Sequence, residues 1–95
     1  MTYGIIIRSS AKRDLRALPP ALRRRVSARI DALALDPRGP DTEPLRGVLR
    51  GWRKARVGDY RIGYEVVDQD QAILIRAIGH RHNVYPEMTR RQADS

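Results

Sequence analysis

The run Ala72-Ile73-Leu74-Ile75-Arg76-Ala77-Ile78 does most to limit the folds open to this chain. It is β-branched and nearly continuous in apolar residues, the pattern of a strand covered on both faces and placed inside a sheet. Two further strands read clearly upstream of it, Trp52 to Val57 and Tyr60 to Asp68, before the last runs from Ala72 to Gly79. The joints between them, Gly58-Asp59 and Gln69-Asp70, are short enough to force antiparallel neighbours. The C-terminal half is therefore a three-stranded meander.

The N-terminal half supplies one more strand and the cover. Tyr3 to Arg8 is rich in Ile and ends at Ser9-Ser10, which predicts a strand beside the central one and a helix capped by either serine. Ala11, Leu15 and Leu18 share one helical stripe, and Pro19-Pro20 ends it, with Pro20 suited to the first turn of a second helix. There Leu22, Val26, Ile30 and Leu33 recur at spacings that lay one face on a sheet. Its outer face carries Arg23, Arg24, Arg25 and Arg29, a solvated face or a set of peripheral phosphate or partner contacts. Residues 40 to 51 read as a loop holding Glu43-Pro44-Leu45-Arg46-Gly47. The fold class is thus α+β in the order β-α-α-β-β-β, an antiparallel-dominated twisted sheet on an N-terminal helical hairpin. Residues 1–86 form the one domain, and 87–95 a polar tail, either a helical turn or disordered.

Composition narrows the partners. Lys and Arg number 19 against 11 Asp and Glu, a formal net charge of +8 that favours an anionic partner such as nucleic acid. Cysteine is absent, which excludes disulfides and thiolate chemistry and suits a cytoplasmic location. No segment approaches the roughly 20 apolar residues needed to span a bilayer, so no membrane role is expected.

The cations are also arranged. Alternation along the strand sends Trp52, Lys54 and Arg56 one way and Arg53, Ala55 and Val57 the other. Arg61, just past the turn, lies opposite the apolar row of Tyr60, Ile62 and Tyr64 and so falls beside Lys54 and Arg56. With no carboxylate expected between them, such a face is fitted to a polyanion.

Leu45-Arg46-Gly47, the basic alternation after Trp52, Gly58-Asp59-Tyr60-Arg61-Ile62, and Ile78-Gly79-His80-Arg81 followed by Tyr85 together resemble the RelE branch of the RelE/ParE toxin family over residues 3 to 86. The resemblance implies the RelE-like microbial RNase fold and a type II toxin held by a cognate antitoxin in a hetero-oligomer. It further implies an endoribonuclease that cuts mRNA in the ribosomal A site by attack of a 2′-hydroxyl on the adjacent phosphate, with no metal and no cofactor. By match to the family, Arg61 clamps the scissile phosphate, Arg81 stabilises charge near the leaving group, and Tyr85 stacks on or orients a nucleotide. Lys54 and Arg56 fall on the active strand. An ammonium among guanidinium groups favours its neutral form, which makes Lys54 one candidate general base; Glu43 is the other. His80 and His82 are candidate acids and, with Arg46, Arg53 and Trp52, candidate RNA contacts, although Trp52 also reads as a packing residue. The alternatives are a ParE-like inhibitor of DNA gyrase and a nucleic-acid-binding module without chemistry.

Overall fold

The strand Ala72–His80 is the spine of the molecule. In the computed structural model, which describes residues 2–94, the chain runs β1 (Gly4–Ile7), α1 (Ser9–Arg16), α2 (Pro20–Leu35), β2 (Thr42–Pro44), β3 (Arg53–Val57), β4 (Tyr60–Val67), β5 (Ala72–His80) and α3 (Val84–Ala93). The five strands form one sheet in the order β1-β5-β4-β3-β2. β1 lies parallel to β5, and the other pairings are antiparallel. The predicted meander, the helical pair and the first strand beside the last one are all present.

The two sheet faces have separate cores. Against α1 and α2 pack Ala55, Val57, Ile62, Tyr64, Ile73 and Ile75, meeting Ala11, Val26, Ile30 and Leu33 from the helices. On the other face Trp52 and Ala77 pack with Leu49 and with Val84 and Met88 of α3. Each aliphatic side chain fully buried this way contributes roughly 1.5–3 kcal/mol. Gly63 admits α3 to that face, since a Cβ there would meet the Met88 sulfur at 2.8 Å and the Trp52 ring at 3.2 Å. β5 is covered on both faces because α3 completes what the helical pair leaves open.

Three expectations need correction. The helix cap is Arg8, with no side-chain bond to the helix, because its N–H still bonds the Ile75 carbonyl and holds it extended one residue past β1. Within the predicted loop 40–51, Thr42–Pro44 pairs with β3, matching Glu43 to Lys54, and becomes the outermost strand. The polar tail is most of α3: Met88 is fully buried, and the Trp52 indole N–H donates to Gln92 at 2.7 Å. Charge inside the tail hid its one apolar stripe, Val84 and Met88, four residues apart.

α3 is also held by ions. A register shift between Gly63 and Tyr64 leaves Arg76 as an extra residue of β5. Arg76 lies 4.5 Å over the Trp52 ring and binds Glu65 at 2.6 Å. β1 is shorter than β5, so Arg76–His80 has an unpaired edge. Asp14 accepts the Ile78 N–H at 3.0 Å, while Arg91 binds Asp14 at 2.7 Å and the Arg76 carbonyl at 2.9 Å. The edge is sealed by α1 and α3 together.

Candidate nucleic-acid interface

α3 covers only part of its sheet face. The uncovered part, on β2, β3 and the start of β4, is a cleft of about 250 Å³ lined by Asp41, Glu43, Lys54, Arg56 and Arg61. Strand register builds it: Glu43 faces Lys54 across β2 and β3, and Arg56 faces Arg61 across β3 and β4. All four side chains share one face because each sits an even number of positions from the next or directly opposite it.

The two arginines are poised for a ligand. Arg61 donates from Nη1 to the carbonyls of Gly58 and Tyr60 at 3.0 and 2.9 Å, which fixes the guanidinium against its own turn while its side chain lines the cleft. Gly58 allows that turn, with φ +58°. Neither Arg56 nor Arg61 forms an ion pair among the described residues. A pair of guanidinium groups without carboxylates matches the oxygens of a phosphodiester.

Lys54 is different. Its ammonium lies 3.6 Å from Glu43 and donates to the Tyr85 hydroxyl at 3.4 Å, with the Tyr85 ring centroid 5.6 Å away. The expected carboxylate-free ring of cations is therefore incomplete: both general-base candidates stand side by side. Tyr85, in the first turn of α3, packs against the second core and meets the cleft through its hydroxyl, which accepts from Lys54. Arg81 lies in the turn beyond β5, not on the last strand. Its N–H bonds the Asp59 carbonyl at 2.8 Å and its Nε lies 3.9 Å from the Asp59 carboxylate. Thus the Gly58-Asp59 turn anchors Arg61 on one side and Arg81 on the other.

Other candidates lie elsewhere. His80 pairs with Tyr60 across the strands, on the helical-hairpin face, and its ring meets the Tyr60 ring edge-on at 5.5 Å. The backbone N–H of His82 donates to His80 Nδ1, and the two rings are 5.0 Å apart, so both imidazoles belong to that corner and not to the cleft. Trp52 is 1% exposed and unavailable to a base. Arg53 points to the helical face and donates to Thr42, as alternation required. Arg46 is exposed at the short turn after β2, beside the cleft strand but outside its lining. Asp41 was missed; it lies just before β2 with a left-handed φ of +64°, a conformation Asp tolerates. Among the described residues no group of three or more His, Cys, Asp or Glu is placed to hold a metal ion, and no helix is long and apolar enough to cross a membrane.

Three comparisons bear on this arrangement. Residues 5–85 match the family model described as the ParE toxin of type II toxin-antitoxin system, parDE. The toxin RelG of Mycobacterium tuberculosis is 34% identical over 89 residues, 90% of this chain and 98% of that protein. Among solved structures, the RelBE2 toxin-antitoxin complex from Mycobacterium tuberculosis superposes with a TM-score of 0.80 at 31% identity, over 87% of this chain and 95% of that one. The archaeal RelE-RelB complex from Pyrococcus horikoshii gives 0.74 at 32%, over 87% and 99%.

Proposed function

Because the chain belongs to the ParE-toxin family of type II toxin-antitoxin systems and resembles RelE-type toxins throughout, we propose that it cleaves mRNA on the ribosome and is silenced by a cognate antitoxin. The observation that carries this reading is the Arg56–Arg61 pair, two guanidinium groups directly opposite on neighbouring strands beside the Glu43–Lys54 pair. A toxin that only docks on another protein has no need of such a phosphate-sized charge cluster.

The chemistry follows from the groups. A 2′-hydroxyl attacks the adjacent phosphorus and its proton goes to a base; the bond to the 5′-oxygen breaks and that oxygen takes a proton from water, giving a 2′,3′-cyclic phosphate and a 5′-hydroxyl. An ion-paired ammonium has no lone pair, whereas its carboxylate partner has several. Glu43 is therefore the base and Lys54 the cation that holds it. Arg61 and Arg56 meet the charge that gathers on the phosphorane oxygens. Arg81 supports the departing 5′-oxygen by charge, since a guanidinium parts with its proton only above a pKa of about 12. Tyr85, bonded to Lys54, stacks on or orients the nucleotide.

The test is purified protein mixed with ribosomes translating a defined message, with 5′ ends mapped by primer extension. Codon-phased cuts are expected, and Arg61→Ala should remove them while leaving the melting curve unchanged. Glu43→Gln should lower kcat by about 10²–10⁴-fold, the usual worth of a general base. The family description favours one rival, poisoning of DNA gyrase. Inhibited supercoiling with no message cleavage would establish that rival instead.

A further inference from the structure

A second cleft is larger than the one just described. It has a volume of about 420 Å³ and lies where Arg8 and α1 meet β5 and the last turns of α3. We propose that it is a second phosphate site, which grips backbone phosphates of a folded RNA away from the cutting cleft; this rests on the RNA-directed reading above.

Five arginines line it, Arg8, Arg13, Arg76, Arg90 and Arg91, against Glu87 and Asp94. Their partners divide them. Arg76 binds Glu65, Arg91 binds Asp14 and Glu87, and Arg90 binds Glu87. Arg8 and Arg13 line the same cleft and form no ion pair among the described residues. Two guanidinium forks without a carboxylate partner in one open cleft are suited to phosphate oxygens.

The lining also says what kind of molecule carries the phosphate. Apart from Ser10, every lining side chain is charged, and none is aromatic or aliphatic. No aromatic ring there would stack on a base, and no apolar wall would hold a nucleoside. An acidic peptide would bring apolar anchors, and the cleft offers them no pocket. A phosphodiester backbone needs only charge and hydrogen bonds. Arg61 lies opposite Gly79, and Arg76 is three residues back along β5. The two clefts are thus roughly 10 Å apart in the sheet, at about 3.3 Å per residue and 4.8 Å per strand. The docked α3 lies between them. A single strand would have to climb over α3 to occupy both clefts, whereas a folded RNA can present a separate backbone segment to each.

The test is fluorescence anisotropy of a labelled RNA hairpin, 2′-O-methylated so that it is not cut, against wild type and Arg8→Gln/Arg13→Gln over a range of salt. The variant should bind about tenfold or more weakly near 0.1 M salt, and its slope of log affinity against log salt should be smaller by between one and two, one unit per lost phosphate contact. Arg8→Lys/Arg13→Lys should recover most of the slope. Lys12→Gln/Arg16→Gln, which removes equal charge from α1 outside the cleft, should change it little. Equal losses in this control would mean bulk charge only and overturn the proposal. So would unchanged RNA binding in Arg8→Gln/Arg13→Gln alongside lost inorganic-phosphate binding by calorimetry, which would assign the cleft to a free anion. Displacement of RNA by an acidic peptide that depends on Arg8 and Arg13 more than RNA binding does would also overturn it. If wild type binds no RNA, the RNA-directed reading fails as a whole; if Arg56→Gln/Arg61→Gln weakens binding and Arg8→Gln/Arg13→Gln does not, only the second site fails.

Discussion

Single residues set how closely the second core can close, and Gly63 is the clearest case. Its missing Cβ leaves room for the Met88 sulfur and the Trp52 ring, both buried and with little space to retreat. Gly63→Ala is expected to cost about 1–3 kcal/mol by overpacking. Met88→Ala, which empties the same space, is expected to cost about 2–5 kcal/mol. Combined, the two should cost less than their sum by about 0.5–3 kcal/mol in urea melts, because the small residue accommodates the new methyl. Strict additivity would mean that α3 does not sit on Gly63. At this scale the sequence was most legible where backbone geometry alone decides: the period of two put Lys54, Arg56 and Arg61 on one face and Arg53 on the other. It did not tell that Trp52, on that same face, is roofed by a helix. Alternation names a face and says nothing of what covers it.

α3 is the element that the sequence hid, and its charges explain both the difficulty and its attachment. Five of its ten residues are polar or charged, yet its placement depends on them as much as on Val84 and Met88. Arg90, hydrogen-bonded to Glu87, and Arg91 beside it hold the Glu87 carboxyl below the usual glutamate value of 4.5. A carboxyl whose pKa is lowered in the folded state adds stability that is present above about pH 4.5 and lost as pH falls through the lowered value. NMR titration of the Glu87 carboxyl should therefore give a midpoint below 4.5, and Arg90→Gln should raise it toward 4.5. An unchanged midpoint in that variant would remove Arg90 as the cause. The seal on β5 makes a second claim on this element. Asp14→Ala takes the acceptor from the Ile78 N–H and two hydrogen bonds from Arg91. It is expected to cost roughly 1–3 kcal/mol and to speed hydrogen exchange at Ile78 ahead of residues in β4. Equal acceleration throughout the sheet would point to global loosening instead. β2 escaped the sequence for a related reason: three residues ending in proline give no periodicity to read, and pairing with β3 alone makes them a strand.

Across the whole molecule the basic excess of +8 is held as a few local concentrations separated by ion-paired regions. Asp68 with Arg38, and Asp14 and Glu87 with Arg91, neutralise charge where elements are joined. Arg56 and Arg61 in one cleft, and Arg8 and Arg13 in the other, form no ion pair among the described residues. Overall topology was legible because the meander and the amphipathic helices fix it between them. The pattern of neutralisation was not, since it depends on pairs such as Asp14 with Arg91, 77 positions apart. That pattern makes a quantitative forecast. If Lys54, Arg56, Arg61 and Arg81 each neutralise one phosphate of single-stranded RNA, the salt slope is about −2.8, and raising salt from about 50 to 200 mM weakens binding about 50-fold. A folded RNA that also reaches Arg8 and Arg13 adds two contacts, which takes the slope to about −4.2 and the loss to about 300-fold. Parallel titrations of an unstructured oligonucleotide and a hairpin of equal length should separate the two values. Identical slopes would restrict phosphate binding to the Arg56–Arg61 cleft, and a loss under about threefold for both would mean that these cations do not face RNA at all.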